Sequence, residues 1–207
     1  MPHVGGGREY GNSEEYDVEL RQVATLNRLA GPTIGGSDTV SGPVRHRGAD
    51  LLVTGHALAR ATSLGEALAL ISQLADPGLP LCGQAVFRSD RDVMKCVGQV
   101  GFRDGEVDAL RLPIGMIHPV AQVARTGRPV FLASPQEYRD RFPTAWQLGG
   151  PKRYEAWAFL PLTTYNQLTG VWMAAFDAPV QMTDGLGPLL VTMARLLSQS
   201  IEQSYDG

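Results

Sequence analysis

Hydrophobic positions repeat with a helical period near both ends of one long stretch of the chain. In residues 49–61 and again in 64–74, apolar side chains recur every three or four positions, which places them along one side of a helix. The second segment opens with Ser63 and Glu66, the spacing of a capping box. A third stripe of this kind runs through residues 186–203. The pattern therefore predicts two amphipathic helices before the central stretch and one after it.

The central stretch carries short apolar runs that are separated by turn-forming residues. Two pairs of these runs are joined by short polar connections, which indicates two β-hairpins. Strands joined by hairpins are antiparallel, whereas parallel strands need long crossover connections. The predicted strands are 81–89, 93–101, 129–133, 154–162 and 168–176.

Between the two hairpins the sequence predicts small helices and loops. Residues 118–126 form a short predicted helix with Pro119 in its first turn, where a missing N–H costs little. Another short helix is predicted over 135–142, and residues 105–111 are expected to be helical or irregular. Both faces of the sheet must be covered, so the amphipathic helices would cover one face and the region of about 103–153 the other. A sheet face roofed by short helices and loops commonly forms a pocket.

The first 48 residues have a different composition from the rest. Residues 1–13 are rich in Gly and poor in branched apolar residues, and are predicted to be a disordered tail. Residues 14–30 predict a helix with a narrow apolar stripe, which is interpreted as peripheral or dimer-forming. Residues 31–48 are dense in Gly, Pro and Ser and are predicted to be a linker. One domain is then expected over residues 49–205.

Three segments of that domain resemble the GAF family. TGRPVFLAS (126–134) is similar to the family's step from a small pocket helix into a strand, and AFLPLTTYNQLTGVWMAAF (158–176) is similar to its paired C-terminal strands. DGLGPLLVTMARLLSQSIEQS (184–204) is similar to its last helix. The chain resembles the GAF modules of bacterial signalling proteins, and its amino-acid composition is similar to that of actinobacterial members. The resemblance implies an α+β fold with an antiparallel sheet of about six strands, helices from both ends of the domain on one face, and short helices and loops over the other.

The same resemblance implies a small-molecule-sensing or regulatory domain that acts in signal transduction. Individual family members bind cyclic nucleotides, tetrapyrroles or amino acids, but Phe176-Asp177 is only a fragment of the cyclic-nucleotide motif. The small molecule and any cofactor are therefore unknown from the sequence. The alternative is a ligand-free dimerisation or protein-interaction module, in which helix 14–30 and the last helix form a homodimer face. Under either function a homodimer through the terminal helices is expected, with a signalling protein as a further partner.

Composition and charge give no indication of several other classes of partner and site. The 207-residue chain has a formal net charge of −3 and no cluster of Lys and Arg that predicts a nucleic-acid or membrane-surface partner. No apolar run approaches the roughly 20 residues of a membrane-spanning helix. The four histidines are scattered without metal-ligand spacing, so no metal site is predicted. Two cysteines do not make a disulfide framework, and a cytoplasmic location is expected.

Those two cysteines raise one enzyme hypothesis. Cys82 and Cys96 fall on adjacent strands of the first predicted hairpin, where they could lie near each other. Some GAF proteins reduce free methionine sulfoxide with cysteines, although the sequence context of those reductases is not recognisable here. A buried free cysteine also packs as a small apolar residue. The sequence therefore favours a protein that is not an enzyme.

The candidate ligand-binding residues are one histidine and several aromatic residues. His118 starts the short helix beside the expected pocket, where backbone N–H groups attract anions, and its alternative role is that of a capping or surface residue. Alternation places Trp157 and Phe159 on one face of their strand. Trp172 and Phe176 likewise share one face of theirs, and the pattern leaves open which face lines the pocket. The other aromatic residues fall in the irregular segment, where binding residues concentrate. The candidate set is His118, Tyr138, Phe142, Trp146, Tyr154, Trp157, Phe159 and Trp172.

Overall fold

The part of the chain that the structure, a computed structural model, describes lies within the predicted domain. It comprises residues 53–74, 79–147, 153–181 and 185–203. The predicted disordered tail (1–13), helix (14–30) and linker (31–48) lie outside these residues, as does the predicted start of the domain at residue 49.

Six strands form one sheet in the described residues. They are β1 (Leu81–Asp90), β2 (Val93–Val100), β3 (Arg111–Pro113), β4 (Val130–Leu132), β5 (Ala156–Thr164) and β6 (Gln167–Phe176). Their order is β3-β2-β1-β6-β5-β4, and every neighbouring pair is antiparallel. The predicted antiparallel sheet of about six strands and both predicted hairpins are confirmed.

Strand β3 is the member of the sheet that the sequence pattern does not predict. It has three residues, and only its central Leu112 is buried. Leu112 pairs with Met94 of β2, so the strand exists because β2 offers it a partner. A single apolar residue in three has no detectable period, so the sequence predicts no strand here. The segment that was expected to be helical or irregular, 105–111, ends at the first residue of β3.

The described helices are six, and the longest two carry the predicted apolar stripes. They are α1 (53–59), α2 (Leu64–Leu74), α3 (Pro119–Thr126), α4 (Pro135–Arg141), α5 (Pro143–Gln147) and α6 (Leu186–Gln203). Ser63 caps α2 as predicted, because its Oγ accepts a hydrogen bond of 3.2 Å from the backbone N–H of Glu66. No helix among the described residues is long and apolar enough to cross a membrane.

The helix predicted over residues 135–142 is confirmed as α4, and a second short helix that was not predicted, α5, follows it. Phe142 ends α4 with φ −137° and ψ 59°, and Pro143 begins α5. A residue before proline is pushed out of the helical region by contact with the proline ring, so the chain bends at this point. The bend returns α5 towards the sheet and brings Trp146 next to α4.

Helices from both ends of the domain cover one face of the sheet, here called the helix side. Helices α1, α2 and α6 pack there, as predicted. The fully buried residues of this side include Leu58, Leu68, Ile71, Val86, Leu160, Trp172, Phe176, Leu190 and Leu197.

The opposite face, here called the lid side, is covered by the lid, which consists of loop 101–110 and helices α3, α4 and α5. The prediction of short helices and loops over this face is confirmed. The loop leaves β2 through Gly101, which has φ +82°. A Cβ at this position would lie 2.1 Å from the backbone oxygen of Cys82, so only glycine permits so close an approach of the lid to β1.

Candidate functional site

Five of the predicted site residues meet between the lid and the sheet. Tyr138 of α4 lies among them, with its ring centroid 5.0 Å from that of Trp157 and 5.7 Å from that of Trp146. Phe142 and Phe159 lie 6.1 and 6.2 Å from the same ring. Every pair is edge-to-face, the geometry that aromatic quadrupoles favour. We call Tyr138, Phe142, Trp146, Trp157 and Phe159 the lid-side aromatic cluster.

Local sequence positions these rings. Trp157 and Phe159 are two residues apart on β5 and therefore point to the same face, as the alternation predicted. Ser134 caps α4 by accepting a hydrogen bond of 3.2 Å from the N–H of Glu137. The Glu137 carboxylate accepts in return from the N–H of Ala133, the residue before the cap, at 2.8 Å. This cap sets the first turn of α4, and Tyr138 in the next position faces the sheet.

The indole N–H of Trp157 is buried without a hydrogen-bond partner. Its side chain is 0% exposed, and Nε1 is one of two buried side-chain polar atoms among the described residues that have no partner. The other is the hydroxyl oxygen of Thr164 at the end of β5. An indole N–H can only donate, and a buried donor left unpaired costs about 1–3 kcal/mol. The cluster therefore contains a donor that an acceptor on a bound molecule would satisfy.

Trp172 lies on the helix side and does not join the cluster. Its Nε1 donates a hydrogen bond of 3.1 Å to Oε1 of Gln84. The amide nitrogen of Gln84 donates to the backbone oxygen of Leu68 at 3.0 Å and to Oγ of Ser72 at 2.7 Å. This network ties α2 to the sheet. Gln84 was not among the residues predicted from the sequence, although a glutamine inside the apolar run 81–89 was a visible signal.

His118 is the N-cap of α3 and is 7% exposed. Its capping role is confirmed, and the surface alternative is wrong. Nδ1 accepts a hydrogen bond of 3.2 Å from the N–H of Val120, so the neutral ring carries its proton on Nε2. Burial lowers the pKa of His118 to about 4, and the side chain is uncharged at neutral pH.

The same helix start offers little to an anion. Pro119 has no N–H, and the N–H of Val120 is taken by His118. Two of the first three backbone positions therefore cannot donate to a ligand, and the imidazole supplies no positive charge. The geometry does not strengthen the expectation that this helix start attracts an anionic group.

Tyr154 belongs to a separate contact that holds loop 101–110. Its ring packs edge-to-face on Phe102 at 5.4 Å, and the guanidinium of Arg153 lies 4.7 Å from its centroid. Arg153 donates to the backbone oxygen of Gly101 at 2.8 Å and pairs with Glu106 at 3.2 Å. Burial raises the pKa of Tyr154 to about 12. The residue fastens the lid loop to the start of β5.

The two cysteines are far apart, contrary to the expectation from the hairpin. Cys96 lies opposite Phe87, and Cys82 precedes Phe87 by five residues on β1. At about 3.3 Å per residue the separation along the strand is about 16 Å, well beyond disulfide reach. Burial raises the pKa of Cys82 to about 11 and also raises that of Cys96. Neither thiol is an activated nucleophile.

This sheet order, with terminal helices on one face and a lid on the other, is the GAF-type fold. Among solved structures the chain is similar to the GAF domain of a phosphoenolpyruvate-protein phosphotransferase from Coxiella burnetii, with a TM-score of 0.65, 18% identity, and coverage of 80% of this chain and 98% of that one. The corresponding domain from Acinetobacter has a TM-score of 0.63 at 15% identity, with 79% and 97% covered.

A third similar structure is that of an enzyme. The free methionine-R-sulfoxide reductase from Neisseria meningitidis, solved with its substrate, has a TM-score of 0.61 at 16% identity, with 84% of this chain and 99% of that chain covered. No family model matches the chain, and no curated protein matches its sequence. At these identities the likeness shows the fold, which agrees with the resemblance carried by the three sequence segments.

Proposed function

We propose that the chain is a small-molecule-sensing GAF-type domain that acts in regulation or signal transduction. Its ligand binds between the lid and the sheet, against the lid-side aromatic cluster. The observation that carries this proposal is the buried, unpartnered indole N–H of Trp157, because native proteins rarely retain a buried donor without an acceptor. Aromatic walls with few polar groups are typical of small-molecule sites.

The lid has contacts weak enough to rearrange when a ligand binds. The guanidinium of Arg139 lies 5.3 Å from the Trp146 ring, and that of Arg141 lies 5.6 Å from the Phe142 ring. Arg141 also pairs with Glu137 at 2.6 Å, with both side chains more than a third exposed. Exposed contacts of these kinds contribute about 0.5–1 kcal/mol each. These surface contacts therefore oppose a shift of α4 and α5 only weakly, and the buried packing of Tyr138 and Phe142 sets most of its cost.

Strand β5 provides a route from the ligand to the terminal helices. Trp157 faces the lid, while its neighbours Ala156 and Ala158 face the helix side, where α6 packs on the strand. A displacement of β5 by the ligand would therefore change the packing contacts of α6. Sensing further requires that the ligand bind one arrangement of the domain better than another.

Thermal unfolding in the presence of metabolite and nucleotide sets tests the proposal. A ligand held at 100 times its Kd should stabilise the fold by about 2.7 kcal/mol, which raises the Tm by several degrees. Native mass spectrometry of the purified protein would detect a molecule that copurifies. Trp146→Ala, which alters the cluster without touching the helix side, should change the stabilisation. Sets that give no shift, together with a ligand-free protein, would count against sensing.

One observation favours the alternative of a ligand-free dimerisation or protein-interaction module. The rings of the lid-side cluster contact one another, and Tyr138, Trp157 and Phe159 are at most 2% exposed. A filled interior of this kind needs no ligand to complete its packing. Light scattering across a concentration series tests this alternative: a stable homodimer supports it, and a monomer at high concentration opposes it.

The arrangement of the thiols supports a protein that is not a methionine sulfoxide reductase. Cys82 on β1 and Cys96 on β2 lie far apart along the hairpin, and both are protonated at neutral pH. We expect no turnover of free methionine-R-sulfoxide above the level of a Cys82→Ala, Cys96→Ala variant. Turnover by the unmodified chain that the variant loses would establish the enzyme instead.

A further inference from the structure

We propose that the ligand is an uncharged planar molecule whose hydrogen-bond acceptor binds the indole N–H of Trp157 and whose ring replaces that of Trp146. This inference rests on the proposed function, because it needs the lid side to admit a ligand. It names the chemical class that the lid-side aromatic cluster can accept.

The need for an acceptor comes from Trp157. Its Nε1 is buried without a partner, and an indole has a donor but no acceptor. A carbonyl oxygen or an unprotonated ring nitrogen would complete this hydrogen bond. A hydrocarbon of the same shape would leave the N–H unpaired, and it should therefore bind more weakly than a molecule that has an acceptor.

The requirement for neutrality comes from the surroundings of the cluster. Among the described residues no Lys or Arg is buried, and the buried polar residue of the lid, His118, already uses Nδ1 to cap α3. Arg139 donates to Gln136 at 3.0 Å, and Arg141 donates to the backbone oxygen of Phe131 at 2.8 Å. A carboxylate brought against Trp157 would thus lose its hydration without meeting a buried cation, and it would have to draw Arg139 or Arg141 away from these contacts, which is unfavourable.

The planar shape and the position follow from Trp146. It is the member of the cluster that is only partly buried, and its ring stands over Trp157 at 6.2 Å with an interplanar angle of 88°. It belongs to α5, which has five residues and is joined to α4 through the hydrogen bond of 3.0 Å from the N–H of Trp146 to the oxygen of Phe142. A flat ring that takes the place of this indole keeps the edge-to-face contacts with Trp157 and Tyr138.

The indole N–H resonances of the ¹⁵N-labelled full chain provide the test, since the chain has three tryptophans. Three probes differ only in the group attached to one benzene ring: acetophenone has a neutral acceptor, α-methylstyrene has the same shape without an acceptor, and benzoate is an anion. Trp→Phe variants at 146, 157 and 172 assign the three signals. Trp172, which already donates to Gln84, is the internal control.

We expect acetophenone to move the Trp157 signal downfield and to leave that of Trp172 in place. It should bind at least about tenfold more tightly than α-methylstyrene, the ratio expected for one hydrogen bond to a buried donor, and at least about tenfold more tightly than benzoate. Trp146→Ala should bind acetophenone more tightly than the unmodified chain. Trp157→Phe should bind acetophenone and α-methylstyrene equally.

Each other result has a distinct meaning. Equal binding of acetophenone and α-methylstyrene at the cluster would overturn the acceptor inference and leave the sensing site standing. Tightest binding of benzoate would overturn neutrality in the same way. A Trp157 signal that contacts a long-lived buried water and ignores acetophenone, in the unmodified chain and in Trp146→Ala, would overturn this inference. Failure of all three probes, in a chain that metabolite sets also fail to stabilise, would remove the proposed function as well.

Discussion

The two faces of the sheet each bury one tryptophan, and the two side chains meet different hydrogen-bonding environments. Trp172 on β6 and Trp157 on β5 are both 0% exposed. The indole N–H of Trp172 donates to Gln84, whereas that of Trp157 has no partner. The helix side therefore satisfies the indole N–H of its tryptophan, whereas the lid side leaves the indole N–H of Trp157 without an acceptor. Equal burial of two tryptophans therefore does not mean equal satisfaction of their indole N–H groups.

The two sides also differ in how they should respond to acid. The buried polar side chains of the helices and sheet on the helix side, Thr54, Gln84, Ser198 and Ser200, are uncharged at every pH. The lid buries His118, which titrates. Acid should thus loosen the lid before it affects the helix side.

The largest effect is expected from the change of Trp172 to phenylalanine, with the same change at Trp157 as its comparison. Trp172→Phe should lower the free energy of unfolding by about 3 kcal/mol, because it removes ring volume and leaves Oε1 of Gln84 buried without a donor. Trp157→Phe should cost about 1 kcal/mol, since the lost volume is offset by removal of an unpaired donor. Urea denaturation of the two variants measures the difference. Equal costs would mean that the two indoles are equally well satisfied.

The next effect is a pH dependence that originates in the lid. The pKa of His118 is lowered from 6.5 to about 4, so between these values the unfolded chain binds a proton that the native chain does not. Stability should therefore fall by about 2–3 kcal/mol as pH decreases from 6.5 to 4, and hydrogen exchange should show α3 opening first.

The matched control for this pH dependence is His118→Asn. Asparagine keeps a side-chain oxygen that can cap α3, and it does not titrate. The variant should fold at pH 7 and should have a shallower loss of stability between pH 6.5 and 4. An unchanged slope would assign the acid sensitivity to another group.

A smaller effect tests whether the helix-side network acts as a unit. Gln84→Leu alone should cost about 2 kcal/mol, because it leaves the N–H of Trp172 buried and unpaired, as that of Trp157 is now. The double variant with Trp172→Phe should cost less than the sum of the two single changes, with a coupling of about 1–2 kcal/mol from urea denaturation. Additive costs would mean that the hydrogen bond contributes little.

The smallest effect concerns the outer surface of the lid. Arg139→Met should reduce stability by about 0.5 kcal/mol and should alter the fluorescence of Trp146, whose ring lies 5.3 Å from the guanidinium. Arg128→Met, at an exposed arginine in the turn after α3, is the control and should leave the fluorescence unchanged. A loss of several kcal/mol at Arg139 would show that the lid is fastened more firmly than its exposed contacts indicate.

Much of the fold could be predicted because it depends on local periodicity. The stripe over 186–203 coincides with α6, and the cap at Ser63 begins α2 as predicted. Both hairpins follow from apolar runs joined by polar turns. Strand β3 and helix α5 were missed because each is too short to have a period of its own and depends on a neighbour, β2 for the strand and α4 for the helix.

The spacing of apolar residues along the chain, by itself, determined which helices and strands they form. It also determined that Trp157 and Phe159 share one face of their strand. Only the tertiary structure decided that this face meets Tyr138 and Trp146, that Trp172 belongs to the other side with Gln84, and that the cysteines lie apart. The physical reason is that alternation specifies the relative direction of side chains within one strand. Which face receives the lid, and whether a buried N–H finds an acceptor, depends on contacts between residues that are distant in sequence.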